Sequence, residues 1–134
     1  MLLIDHQAGL FLGVKSIDQQ ILKNNAIALA KTAKVFDLPT VLFTSSAQGL
    51  NGPTIPEIKE LFPDHKIHDR SPINLWNDPE CRQAVEETNR EKLNQINTWR
   101  NLCCFYFECR LRPSSNYSYS SSSDRRIFKR CRAK

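Results

Sequence analysis

The sequence lacks the features that most quickly assign a chain to a class. It has no long apolar run: the opening stretch MLLIDHQAGLFLG is interrupted at once by Asp5 and His6, far short of the roughly 20 residues a membrane-spanning helix needs. No basic segment precedes that stretch, so it does not read as a secretory leader. Five cysteines are present without such a leader, which argues against a disulfide framework, because a reducing compartment keeps thiols free. Nowhere do those cysteines form a Cys-x-x-Cys pair. His65, His68 and the later cysteines are of the right types for zinc but lack that spacing, and no metal site is expected. These absences point to a soluble, cytoplasmic protein.

What is present fits one domain: 134 residues, 40% of them apolar, are enough for a modest core. The net charge of +5 is unevenly placed. Beyond Ile96 nine basic residues face two acidic ones, whereas the remainder of the chain carries a net charge of −2. A nucleic-acid surface built into a fold would spread its Lys and Arg over several elements. Here the basicity belongs to a tail whose run SSNYSYSSSSDRR is polar and of low complexity. Such a run buries too little apolar surface to offset an ordering cost of roughly 1–2 kcal/mol per residue. A solvated, disordered tail is the more economical reading, and nucleic acid is not an expected partner.

The body has a recurring pattern. LLID is a short apolar run ending in an acid, as in a buried strand whose carboxyl end opens onto a site. Ser16 can cap the following segment, in which Leu22, Ala26, Leu29, Ala33 and Phe36 share one helical face until Pro39 ends it. TVLFTSS is β-branched and apolar, so strand, helix, strand with parallel pairing follows. AQGLNGPTIPE reads as a surface loop before a short helix, EIKELF, and KIH as a third strand. In WNDPECRQAVEETN, Asn77 or Asp78 caps a helix with Pro79 in its first turn and Cys81, Ala84, Val85 and Thr88 on one face. The alternation then requires another apolar strand, but EKLNQINTWRNLCC offers Asn and Gln instead, and the pattern is read as breaking there.

The segments LLIDHQAGLF, LPTVLFTSSAQGLNGPTIPEIKELFPD and DRSPINLWND occur in this order and resemble the isochorismatase-like cysteine hydrolases, most closely the YcaC-like subgroup. The resemblance covers residues 2–89. It implies a three-layer α/β/α, Rossmann-like fold with a parallel sheet, here incomplete, over 1–96, followed by an aberrant basic tail at 97–134. It also implies a triad, with Asp5 as base, Arg70 as cation and, by an ungapped count from AVEETN, Cys103 as nucleophile. Asn74 and Trp76 become candidate packing or substrate-pocket residues, and His6 a site-wall or structural residue rather than a base. The implied reaction is hydrolysis of a small amide, ester or related carbonyl compound. It calls for no metal or organic cofactor, and family members form homo-oligomers.

The chemistry explains the residue types. A thiol with an ordinary pKa of about 8.5 is mostly protonated at neutral pH, and a nearby cation favours its thiolate. An arginine keeps its charge throughout, so position 70 stabilises charge rather than transferring protons. The setting of Cys103, TWRNLCCFYFEC, departs from the family pattern, in which Thr and Glu precede the nucleophile and small apolar residues follow it. Arg-Asn-Leu-Cys-Cys-Phe can be encoded AGA AAC CTG TGT TGC TTT, which read one nucleotide on gives Glu-Thr-Cys-Val-Ala. The expectation is therefore a change of reading frame between Asn89 and Arg100, through a frameshift or a mispredicted splice, in a chain that also lacks part of the family's N-terminal segment and its C-terminal end. This predicts little or no activity. It also leaves two rivals: a noncatalytic fragment that associates with intact relatives, and a tail that binds nucleic acid. Sequencing the transcript tests the frame change, because codons that do not spell Glu-Thr-Cys when displaced by one nucleotide rule it out.

Overall fold

A computed structural model of the chain describes residues 1–90 and 93–98, together with the backbone at 117–118, 129–130 and 132–133. The elements run β1 (Leu2–Ile4), α1 (Ala8–Gly13), α2 (Gln19–Val35), β2 (Val41–Ser45), α3 (Pro56–Leu61), β3 (Ile67–Arg70), a 3-10 turn (Leu75–Asn77), α4 (Pro79–Glu86) and β4 (Asn94–Asn97). Three backbone pairs follow, β5 (Tyr117–Ser118), β6 (Lys129–Arg130) and β7 (Arg132–Ala133). The main sheet has the order β3-β2-β1-β4-β6. Its first four strands are mutually parallel, and β6 joins β4 antiparallel.

Period-two alternation along the strands separates two cores. Leu3, Leu42 and Ile96 face α1, α2 and α3, where they meet Phe11, Leu22, Ala26, Ala30, Ala33, Ile58 and Phe62. Leu2, Ile4, Val41 and Phe43 face the opposite way, onto Leu75 and the α4 residues Cys81, Ala84 and Val85. Helices on both faces of a parallel sheet make the α/β/α sandwich, and each fully buried Leu, Ile or Phe contributes about 1.5–3 kcal/mol to it.

Several local expectations change. Asp18, not Ser16, caps α2, its carboxylate accepting from the Ile21 N–H at 3.0 Å. Phe36 is 69% exposed, because the helix ends at Val35 and Asp37 turns the chain away with φ 47°. Leu29 is half-buried, and the buried face of the helix runs through Leu22, Ala26, Ala30 and Ala33. Of the two cap candidates for α4, Asp78 is used, accepting from Glu80 and Cys81 N–H groups. Cys81 is a core residue whose thiol burial pushes up to about 12, which leaves it chemically inert.

The largest correction lies at 90–100. Where the apolar pattern breaks, the chain still forms a parallel strand, with Leu2, Leu3 and Ile4 of β1 in register with Gln95, Ile96 and Asn97 of β4. Backbone pairing with β1, together with buried Leu93, Ile96 and Thr98, holds the strand although Asn94, Gln95 and Asn97 are polar. The tail expected to be disordered lies outside the described residues, apart from the three backbone pairs.

Candidate functional site

The carboxyl ends of β1, β2, β3 and β4 converge on one edge of the sheet. Asp5 follows β1 in the left-handed region, φ 58°, a conformation that Asp tolerates better than most residues. Its N–H donates to the Phe43 carbonyl of β2 at 2.9 Å, so the backbone turns while the strand pairing is still intact. Arg70 ends β3, and its Nη2 donates to Asp5 Oδ2 at 2.8 Å. Both side chains are almost wholly enclosed, with 2% and 4% of the Arg70 and Asp5 side chains exposed. The other terminal nitrogen, Nη1, donates to the carbonyls of Pro72 at 2.7 Å and Ile73 at 3.1 Å. One guanidinium thus neutralises a buried carboxylate and shapes the loop after β3, the geometry for which a planar fork suits better than an ammonium.

Sequence reasoning missed much of the polar framework around this pair. Gln7 is fully buried: its Oε1 accepts from the Ser45 N–H at 2.8 Å, and its Nε2 donates to the carbonyls of Ser45 and Gly52. Asn51 Nδ2 donates to the same Ser45 carbonyl at 2.8 Å. Asp69 accepts from Thr44 Oγ1 and from the Ala47 N–H, fixing the turn at Ser46, where φ is 50°. Gly9 lets α1 lie against this loop, since a Cβ there would sit 2.2 Å from the Leu50 carbonyl oxygen. A Gln beside a Gly-rich loop gave no pattern signal, because a polar residue in a turn ordinarily reads as exposed.

His6 is 2% exposed, and its Nδ1 shares a 2.8 Å hydrogen bond with Thr98 Oγ1 at the end of β4. Burial pushes the imidazole down to about 4, so it is neutral at physiological pH. Asn74 caps the 3-10 turn, its Oδ1 accepting from the Trp76 N–H at 3.0 Å, and Trp76 packs against the α4-side core. The geometry therefore gives both a local structural part next to the loop that Arg70 holds. His65 lies edge-on to Phe62, and His68 contacts Glu80, which also binds Lys66. Among the described residues no group of three or more His, Cys, Asp or Glu is arranged to hold a metal, and no helix is long and apolar enough to cross a membrane. Cys103 lies outside the described residues.

Two measurements follow. Asp5→Asn removes the charge of the carboxylate that pairs with a buried guanidinium and is expected to cost about 3–5 kcal/mol in urea unfolding. The double variant Asp5→Asn/Arg70→Met is expected to cost less than Asp5→Asn alone, and additive losses would show that the pair is not coupled. Because the folded-state pKa of His6 lies below its unfolded value of 6.5, the unfolded chain binds more protons between pH 6.5 and about 4. Stability from this residue is complete above pH 6.5 and declines as pH falls to about 4, by up to about 3 kcal/mol. Replacing His6 with Asn should flatten that part of the stability–pH curve, and an unchanged slope would assign it to other groups.

No protein-family model matches the chain. Over 94 residues, 69% of the chain, it is 45% identical to the probable hydrolase YcaC of Escherichia coli (strain K12), of which those residues cover 45%. The crystal structure of the Escherichia coli YcaC gene product, described as an octameric hydrolase of unknown specificity, superposes with a TM-score of 0.73 at 42% identity, covering 76% of this chain and 50% of that one. YcaC from Pseudomonas aeruginosa, solved with hexane-2,5-diol and covalent acrylamide, gives a TM-score of 0.75 at 39% identity, covering 78% and 52%. The chain spans about half the length of these relatives. With the same fold and this level of identity, the chain belongs to the YcaC-like branch of the isochorismatase-like hydrolase family.

Proposed function

We propose that the carboxyl edge of the sheet is the site of a cysteine hydrolase, with Cys103 as nucleophile, Asp5 as general base and Arg70 as the stabilising cation. The observation that carries this reading is the Asp5–Arg70 pair, 2.8 Å apart and enclosed, beside the strand from which Cys103 follows. Cys103 comes six residues after the end of β4, within an extended reach of about 20 Å. In the reaction Asp5 accepts the thiol proton and the sulfur attacks the carbonyl carbon. Collapse of the tetrahedral intermediate breaks the bond to the amine or alkoxide, which leaves with that proton. Water, deprotonated by Asp5, then hydrolyses the thioester. Arg70 offsets the charge on carboxylate and thiolate without itself titrating. The substrate is a small amide, ester or related carbonyl compound, with Asn74 and Trp76 on the loop bordering its pocket.

The covalent acrylamide on the Pseudomonas aeruginosa relative supports a nucleophilic thiol, because acrylamide is an electrophile that thiolates alkylate. The octameric Escherichia coli relative supports assembly with further copies of this chain. A change of reading frame between Asn89 and Arg100 accounts for the foreign residues around Cys103 and predicts a weakened enzyme. The rival is a noncatalytic chain that associates with intact family members.

Acrylamide itself separates the two. Full-length protein treated at pH 7 and mapped by peptide mass spectrometry should carry the adduct on Cys103 at least about tenfold faster than on Cys104 or Cys109. Asp5→Asn should remove that preference, and Cys81 should stay unlabelled until denaturant is added. Equal, ordinary thiol rates at Cys103, Cys104 and Cys109 would discard the enzyme reading in favour of the noncatalytic one.

A further inference from the structure

The outward side of α2 is unusual for a surface helix. Ile21 is 53% and Val35 80% exposed, and with the exposed Ala28 between them they recur every seven residues along one line of the helix. The helix Gln19–Val35 contains no acidic residue. Of its lysines, Lys23 pairs with Glu57 and Lys34 donates to the Leu61 carbonyl, both towards α3, which leaves Lys31 as the charge on the outer face. Each end of the line carries further exposed apolar side chains, Ile17 near Ile21 and Phe36 and Leu38 near Val35. Single exposed apolar residues are ordinary, but two clusters joined by a nearly uncharged helix face mark a contact surface.

We infer that this face docks on the α2 helix of a second copy of the same chain, the two helices lying antiparallel with Ala28 of both copies at a two-fold axis. This rests on the assembly reading above and names its surface. The symmetry of the face itself selects a second copy as the occupant. A two-fold contact sets residue i against residue j of the other copy and j against i, so it closes only where the patch complements itself. Position 28 is the midpoint of positions 21 and 35. An antiparallel crossing there sets Ile21 against Val35 of the second copy at both ends, about 21 Å apart at 1.5 Å per residue. The same rotation brings Ile17 towards the Phe36 and Leu38 end. Ala28, the smallest side chain on the face, stands at the crossing, where packed helix axes come within about 8–10 Å. Lys31 falls level with Asn24 and Asn25 of the second copy, whose side-chain carbonyls can accept from it, and about 9 Å along the axis from the other Lys31. About a dozen side chains per copy take part, and at the roughly 30–40 Å² per residue of ordinary interfaces they bury about 400 Å² on each side, half of a standard interface. A contact of that size makes a weak, reversible dimer.

Sedimentation velocity of the full-length chain from about 1 to 200 µM tests it, and the wild-type mass is expected to rise with concentration. Ala28→Arg changes an exposed residue and places two guanidinium groups at the axis, so association should weaken at least about tenfold while the urea midpoint stays unchanged. Ile21→Lys and Val35→Glu should each weaken association about tenfold, whereas the double variant should return to within about threefold of wild type. Positions 21 and 35 are too far apart in one chain to pair, so that recovery requires them to meet across the axis. Association unchanged by Ala28→Arg, or a double variant whose losses add, overturns the α2 surface and leaves assembly through another face standing. A wild-type chain that stays monomeric throughout the range overturns both. In that case a lowered urea midpoint in Ala28→Arg would assign the face to another part of the same chain. Asp5 and Arg70 take no part in the contact, so the hydrolase reading is independent of each outcome.

Discussion

A carboxylate and a guanidinium removed from water each cost several kcal/mol in lost hydration, and only close pairing with full hydrogen bonding recovers that cost. The Asp5–Arg70 pair supplies the close pairing, with Nη1 of the same guanidinium bonded to two carbonyls, and the surrounding architecture can be read as what holds the two groups in place. Asp5 ends β1 and Arg70 ends β3, with β2 between them. At about 4.8 Å per strand step, the two backbones are nearly 10 Å apart, so the cation must reach across the end of β2. An arginine spans that distance and retains a second nitrogen for the carbonyls of Pro72 and Ile73. The left-handed turn at Asp5 contributes from the other side, bending the chain towards the pair at a backbone cost of about 1–2 kcal/mol.

The pair belongs to a layer of polar side chains that tie the strand exits together. Gln7 joins the end of β1 to Ser45 at the end of β2 and to the loop at Gly52. Asp69 joins β3 to Thr44 and to the turn after β2, and His6 joins β1 to Thr98 after β4. Inside a low-dielectric edge each such bond is strong when satisfied and costly when broken, so the layer gives the exits a defined geometry that apolar packing alone would not. The two apolar cores lie behind it on either face of the sheet and supply the bulk stability. Positional precision and bulk stability are thus provided by different residues.

This division explains what the sequence made legible. The cores are written in periodicity: Leu22, Ala26 and Ala33 mark the buried face of α2, and the apolar runs of β1 and β2 mark buried strands. Asp5 and Arg70 were found because each ends a strand within a recognisable segment. The polar layer has no period. Gln7, Asn51, Asp69 and Thr98 come from four separate segments and meet only once the chain is folded, so nothing in their local sequence separates them from ordinary loop residues. Phe36 fails in the opposite sense: it continues the helical period of α2, but the chain turns at Asp37 before the residue can be buried.

The strand β4 shows why composition misled there. A buried parallel strand ordinarily reads as a run of Val, Ile and Leu because both of its faces are covered. In β4 only part of that covering is required: Ile96 enters the core beneath α2 and Leu93 enters the one beneath α4, while Asn94 is exposed and Gln95 and Asn97 are half-buried. The ladder itself is made by the backbone, and Gln95, Ile96 and Asn97 pair with β1 whatever their side chains. A strand with few apolar anchors can therefore keep its register through its neighbour. Just beyond Asn97, the buried Thr98 hydroxyl shares a hydrogen bond with His6 Nδ1. The polarity that hid this strand in the sequence is tolerated because the backbone pairing and two apolar anchors, Leu93 and Ile96, carry it.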